Sequence, residues 1–180
     1  MSNPTKWKSQ FDTLESLRLE ILQLTEGIDN EILKKKPSDA EWSVIEICNH
    51  LMVIEQLSIG YIRNKIEKAD QAKPVNFQSK LKGWILRIAL SLPLRFKAPK
   101  AVSQIPAPKT FADLSMIWDM TRKELWKVIE KVPEGSYNKA FFKHPISGYM
   151  TIEDMLDFFI VHTKHHIKQI KRTLQKVKAS

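Results

Sequence analysis

Phe158-Phe159-Ile160-Val161-His162-Thr163-Lys164-His165-His166-Ile167-Lys168-Gln169-Ile170 is the stretch from which the rest of the chain can be read. Around it, Ile152, Leu156, Phe159, Ile160, Thr163, Ile167, Ile170 and Leu174 recur at the period of a helix, not of a strand. His162 and His166 are four apart, so on that helix they stand one turn above the other on the flank of the apolar stripe. His165 projects off that seam. Two imidazoles so placed can hold one divalent metal between them. Two ligands rarely suffice, and the chain must supply a third.

Upstream, three more amphipathic segments are readable. Gln10 to Ile28 places Phe11, Leu14, Leu17, Ile21, Leu24 and Ile28 on one stripe, with Arg18 and Glu20 expected toward solvent. A polar linker, Lys34 to Asp39, follows, and Pro37 discourages helix before it. Ser43 with Glu46 three residues on forms a capping box, opening a second helix to about Asp70. Its stripe runs through Val44, Ile47, Cys48, Leu51 and Ile54, with His50 at the edge. Glu55 projects into the stripe, where a carboxylate needs a partner; a tryptophan N–H or a basic side chain is preferred to a catalytic role. Thr110 with Asp113 opens a third helix carrying Leu114, Ile117, Trp118, Leu125 and Ile129, and Pro133-Glu134-Gly135 closes it. His144 to Tyr149 reads as a turn, and Thr151 with Asp154 caps the fourth helix. Four long helices with an elaborated connection between the second and third predict an all-α four-helix bundle, one domain over 1–180.

The connection, 71–109, is the least regular part. Leu81 to Leu92 predicts a short apolar helix stopped by Pro93, with Pro99, Pro106 and Pro108 favouring an irregular path beyond. Between Asp70 and Asp113 there is no acid, while Lys73, Lys80, Lys82, Arg87, Arg95, Lys97, Lys100 and Lys109 are basic. A net charge of +9 raises nucleic acid as a partner, but no groove-reading motif accompanies this segment. A solvated basic surface is preferred. A basic apolar helix can lie on a membrane or pack across the bundle mouth; Trp84, Ile85 and Leu86 need burial, which favours the mouth. Neither nucleic acid nor membrane is therefore an expected partner. The lone Cys48 and a start without an apolar run fit a reducing cytoplasm and no signal peptide.

His50, on a different helix and bordering a core-facing stripe, is the natural third ligand for His162 and His166. Three neutral histidines leave open positions on a metal, the arrangement of a catalytic site. A water held there is acidified, and a thiol would be bound as thiolate. For His50 alone a hydrogen-bonded core histidine is the plainer reading; for all three together the metal is preferred.

Trp42-Ser43-x-x-Glu46-x-x-x-His50-Leu51-x-x-x-Glu55, then His144-Pro145-x-x-Gly148-x-Met150-Thr151, then His162-x-x-His165-His166-x-x-Gln169-Ile170, resembles the DinB-like (YfiT-like) metalloenzymes. The likeness runs in one order over nearly the whole chain. It implies an up-down-down-up bundle, often a homodimer, with zinc or nickel held by the residues matching His50, His162 and His166. It also implies a small-molecule substrate and either a thiol S-transferase using a low-molecular-weight thiol or a hydrolase. The alternative from another class is a non-catalytic, metal-stabilised bundle acting as a dimeric or partner-binding stress protein.

Overall fold

The computed structural model describes residues 4–92 and 106–179. Its helices are α1 (Pro4–Thr25), α2 (Asn30–Lys34), α3 (Val44–Ile66), α4 (Phe77–Ser91), α5 (Phe111–Ile129) and α6 (Ile152–Ala179). A 3-10 turn spans Ala69–Gln71, and a hairpin of β1 (Phe142–His144) and β2 (Gly148–Met150) leads into α6. Pro93, Arg95, Lys97, Pro99 and Lys100 of the basic connection lie outside the described residues.

The helix directions follow from which side chains meet. Lys6 pairs with Glu153, Gln10 Nε2 donates to Asp157 Oδ1 at 2.6 Å, and Lys171 Nζ donates to Glu20 at 2.8 Å, so α1 and α6 run the same way. Gln56 Nε2 donates to Thr121 at 3.1 Å, and Arg63 pairs with Glu124, so α3 and α5 also run parallel. The two pairs oppose one another. Trp7 and Phe11 pack with Ile59 and Ile62, whereas Leu17 and Ile21 pack with Val44 and Cys48. The bundle is therefore up-down-down-up.

The predicted caps close as drawn. Ser43 N donates to Glu46 Oε2 at 2.8 Å, while Glu46 N donates to Ser43 Oγ at 3.2 Å. Asp113 N and Asp154 N each donate to a threonine Oγ1, of Thr110 and Thr151, at 3.1 Å. These bonds satisfy amide groups that a helix start otherwise leaves orphaned.

Several expectations need correction. α1 begins at Pro4, not Gln10, because Trp7 belongs to the core and meets Tyr137 edge-on at 4.9 Å; proline is tolerated in the first helical turn. It ends at Thr25, and α2 intervenes before the linker, capped by Asp29 accepting from Glu31 N at 2.7 Å. α3 stops at Ile66, short of Asp70. The turn expected at His144–Tyr149 is the tip of the hairpin, with Lys143 opposite Tyr149 and His144 opposite Gly148. Gly148 sits at φ +82°, which a side chain would strain.

Arg18 is buried, not solvent-facing: it grips Glu15 through Nε at 3.0 Å and reaches Asp119 at 3.4 Å. Trp84 and Ile85 are 55% and 53% exposed; only Leu86 of that trio packs against the core. α4 turns its other side inward, with Gly83 against Met150, Leu90 buried, and Arg87 donating to Asp157 at 3.0 Å.

Candidate metal centre

α3 and α6 bring His50, His162 and His166 together. All three are buried, and one nitrogen from each lies within 4.8 Å of the others. The rings of His162 and His166 are 4.5 Å apart, and that of His50 is 5.3 and 5.1 Å from them. The Nε2 atoms of His162 and His166 approach to 3.0 Å. A tetrahedral ion with bonds of about 2.0–2.1 Å wants its donors roughly 3.3–3.4 Å apart, close to the spacing that the helical i, i+4 pair already provides.

Gln169, three residues beyond His166 on α6, fixes the state of one ring. His166 Nδ1–H donates to its Oε1 at 2.7 Å. An amide oxygen can only accept, so the proton sits on Nδ1 and Nε2 faces the centre with a lone pair. Gln169 was visible in the sequence pattern, but its role was not. The signal is the i, i+3 spacing from a ligand candidate, which lets a side chain reach the imidazole from behind.

The electrostatics favour neutral rings. Burial, reinforced by the charges of His166 and His50, holds His162 well below the usual imidazole range. Burial chiefly, then His50, pushes His166 down to about 3, against a partial offset from Gln169. A metal ligand must be the deprotonated imidazole, so these rings need release no proton to bind at neutral pH. Aromatic side chains wall the cluster. Phe158 stacks on His162 at 5.1 Å and Trp42 tilts against His50 at 5.0 Å.

The neighbouring histidines have other partners. His165 leaves the seam and donates from Nδ1 to the Leu90 carbonyl at 3.0 Å, tying α6 to α4. His144 packs on the outer face of Phe158 at 4.6 Å. Its Nδ1 accepts from Ile146 N at 3.1 Å and Ser147 N at 3.2 Å, so its proton is on Nε2. Glu55 is structural, as expected. Arg122 grips it with two bonds of 3.0 and 2.8 Å, and Trp118 Nε1 donates at 3.3 Å. Arg122 also reaches Glu15 at 3.3 Å, so the cluster joins α1, α3 and α5.

The family model described as the DinB superfamily matches residues 13–170 of this chain. The uncharacterized protein YuaE of Bacillus subtilis (strain 168) is 24% identical over 164 residues, covering 89% of this chain and 94% of its own length. Among solved structures, YfiT from Bacillus subtilis superposes with a TM-score of 0.61 at 17% identity, covering 99% of this chain and 91% of that one. YfiT is described as a probable metal-dependent hydrolase with an unusual four-helix bundle topology.

Proposed function

Because this chain belongs to the DinB superfamily, we propose that it is a divalent-metal-dependent enzyme acting on a small molecule, its ion held by His50, His162 and His166. The observation that carries this reading is the convergence of three buried imidazoles from two helices onto one point, the two on α6 held neutral chiefly by burial. The donor set fits the group. Nitrogen ligands suit zinc and nickel, and a trio leaves room for a further ligand.

When bound there, a divalent ion supplies Lewis acidity that acidifies a water or thiol beside it. The chain's own residues do the rest. His50, brought by α3, crosses to the pair on α6. Gln169 holds the proton on His166 Nδ1 and keeps Nε2 free to ligate. Phe158 and Trp42 exclude bulk water on two sides, which strengthens every charge interaction between them. Hydrolysis is the reading favoured by the description of YfiT, whose fold this chain shares. Transfer of a low-molecular-weight thiol would use the same open position.

Exposed Met116 and Met120, one turn apart on α5, are where a second copy would seat in a homodimer. Metal analysis of protein made without a histidine tag should find about one zinc or nickel ion per chain. The loaded protein is then offered activated esters and amides, and separately electrophiles with bacillithiol, glutathione or coenzyme A. Metal-dependent turnover without thiol supports the hydrolase, and turnover that needs one thiol supports the transferase. A fully metallated protein inert to both panels supports the non-catalytic bundle instead.

A further inference from the structure

The side of α4 that faces away from the bundle carries Phe77, Leu81, Trp84, Ile85 and Ile88, all exposed. At about 100° per residue these five fall within one stripe, opposite Gly83 and Leu90, which pack inward. An exposed apolar stripe of this length on a helix marks an interaction surface. The helix is held firmly from behind by the Arg87 ion pairs with Asp157 and Asp154 and by the bond from His165 to the Leu90 carbonyl. The stripe is therefore presented rather than loosely hung.

Charge decides what covers it. Lys80 and Lys82, both exposed, lie about 100° to either side of the stripe centre. Residues 71–112 contain no Asp or Glu to answer them. A symmetric contact between two copies of this face would set each lysine pair against its own image, with no acid in the segment between. An anionic bilayer offers the opposite arrangement: hydrocarbon for the stripe and headgroup phosphates for the flanking ammonium groups, whose stems can follow the apolar surface. At about 1.5 Å per residue, the fifteen residues of α4 span roughly 22 Å, too short to cross the hydrocarbon core but suited to lying in its surface. Among the described residues no helix is long and apolar enough to cross a membrane.

We propose that the outer face of α4 seats this protein peripherally on anionic lipid bilayers. The exposure of Trp84 and Ile85 removes the ground on which packing across the bundle mouth was preferred. The surface does not depend on the metal reading.

Co-sedimentation of the full chain with vesicles of phosphatidylcholine mixed with phosphatidylglycerol, against phosphatidylcholine alone, is the test. Binding should occur on the mixed vesicles and weaken as salt is raised. Lys80→Gln/Lys82→Gln should lower partitioning about twenty-five-fold, from roughly fivefold per basic residue at such a surface. Ile85→Glu/Ile88→Glu should abolish it, with circular dichroism unchanged, while Leu19→Gln at an exposed position of α1 should bind as wild type. Equal binding to both vesicle types, no binding to either, or full binding by the glutamate variant overturns the proposal. So does a glutamate variant that turns a dimer into a monomer in light scattering without losing vesicle binding, which assigns the face to a second copy.

Discussion

Replacing Gln169 with leucine removes the acceptor behind His166 without touching any nitrogen that faces the centre. In the native protein His166 Nδ1–H donates to Gln169 Oε1 across 2.7 Å, and this bond selects the tautomer whose Nε2 lone pair points inward. Leucine keeps the helix and much of the volume but leaves the N–H without its partner and the tautomer unselected. Loss of such an outer partner costs roughly 10–100-fold in metal affinity, or about 1.4–2.7 kcal/mol. Gln169 is only partly buried, so water can replace its oxygen in part, and the loss belongs near the tenfold end. Gln169→Glu should act the other way, since a carboxylate accepts the same bond more strongly and makes the ring a better donor. Competition for zinc against a chromophoric chelator, at fixed pH, measures both variants. Leucine and glutamate variants that hold zinc as tightly as wild type would refute the assignment of Gln169.

Three further outcomes are expected. His166→Ala should lose most bound metal while His165→Ala, whose ring is committed to Leu90, should keep it; equal loss in metal analysis would put the helix phase in error. Arg122→Met should cost about 3–5 kcal/mol in urea unfolding by stranding the buried Glu55 carboxylate, and Arg122→Met/Glu55→Leu should recover most of it. His144 is pushed down to about 4 by burial, so in metal-free protein its contribution is complete above pH 6.5 and is lost as the pH falls toward 4, where only the unfolded chain takes up the proton. Between pH 7 and 4.5 that is about 2–3 kcal/mol. His144→Asn, which can still accept from Ile146 N and Ser147 N, should flatten the unfolding profile by that amount.

What was legible beforehand was what rests on local spacing. The i, i+4 step of His162 and His166, the Ser43–Glu46 box and the stripe through Val44, Ile47 and Cys48 each follow from one helix considered alone. The apolar surroundings of Glu55 likewise demanded a partner, and Trp118 with Arg122 supplies it. What was not legible needed a second element. Arg18 looks like a surface residue on its own helix and becomes buried because Glu15 and the neighbouring α5, with Asp119, answer its charge. Trp7 lies before the readable stripe and is claimed by Tyr137 from a distant loop. The hairpin lacks the Asn-Gly or Asp-Gly signature of a tight turn and is held partly by α4, on which Gly148 closes against Ser79. Trp84 and Ile85 were expected inside because large apolar side chains usually are; nothing in their own sequence says that Gly83 and Leu90 take the inner side.

The pairing of α1 with α6 also sets an order of events at the ribosome. Gln10 must wait for Asp157, which lies 147 residues later in the chain. At a synthesis rate of about 5–20 residues per second, that delay is on the order of ten seconds. Over that interval Phe11, Leu14 and Ile21 can already pack against α3 and α5, as Phe11 does on Trp126 at 4.9 Å, while the side of α1 that carries Gln10 waits for α6. α1 is thus held in two stages, first by α3 and α5 and only at the end by α6, so the seam between α1 and α6 is the last part of the bundle to close.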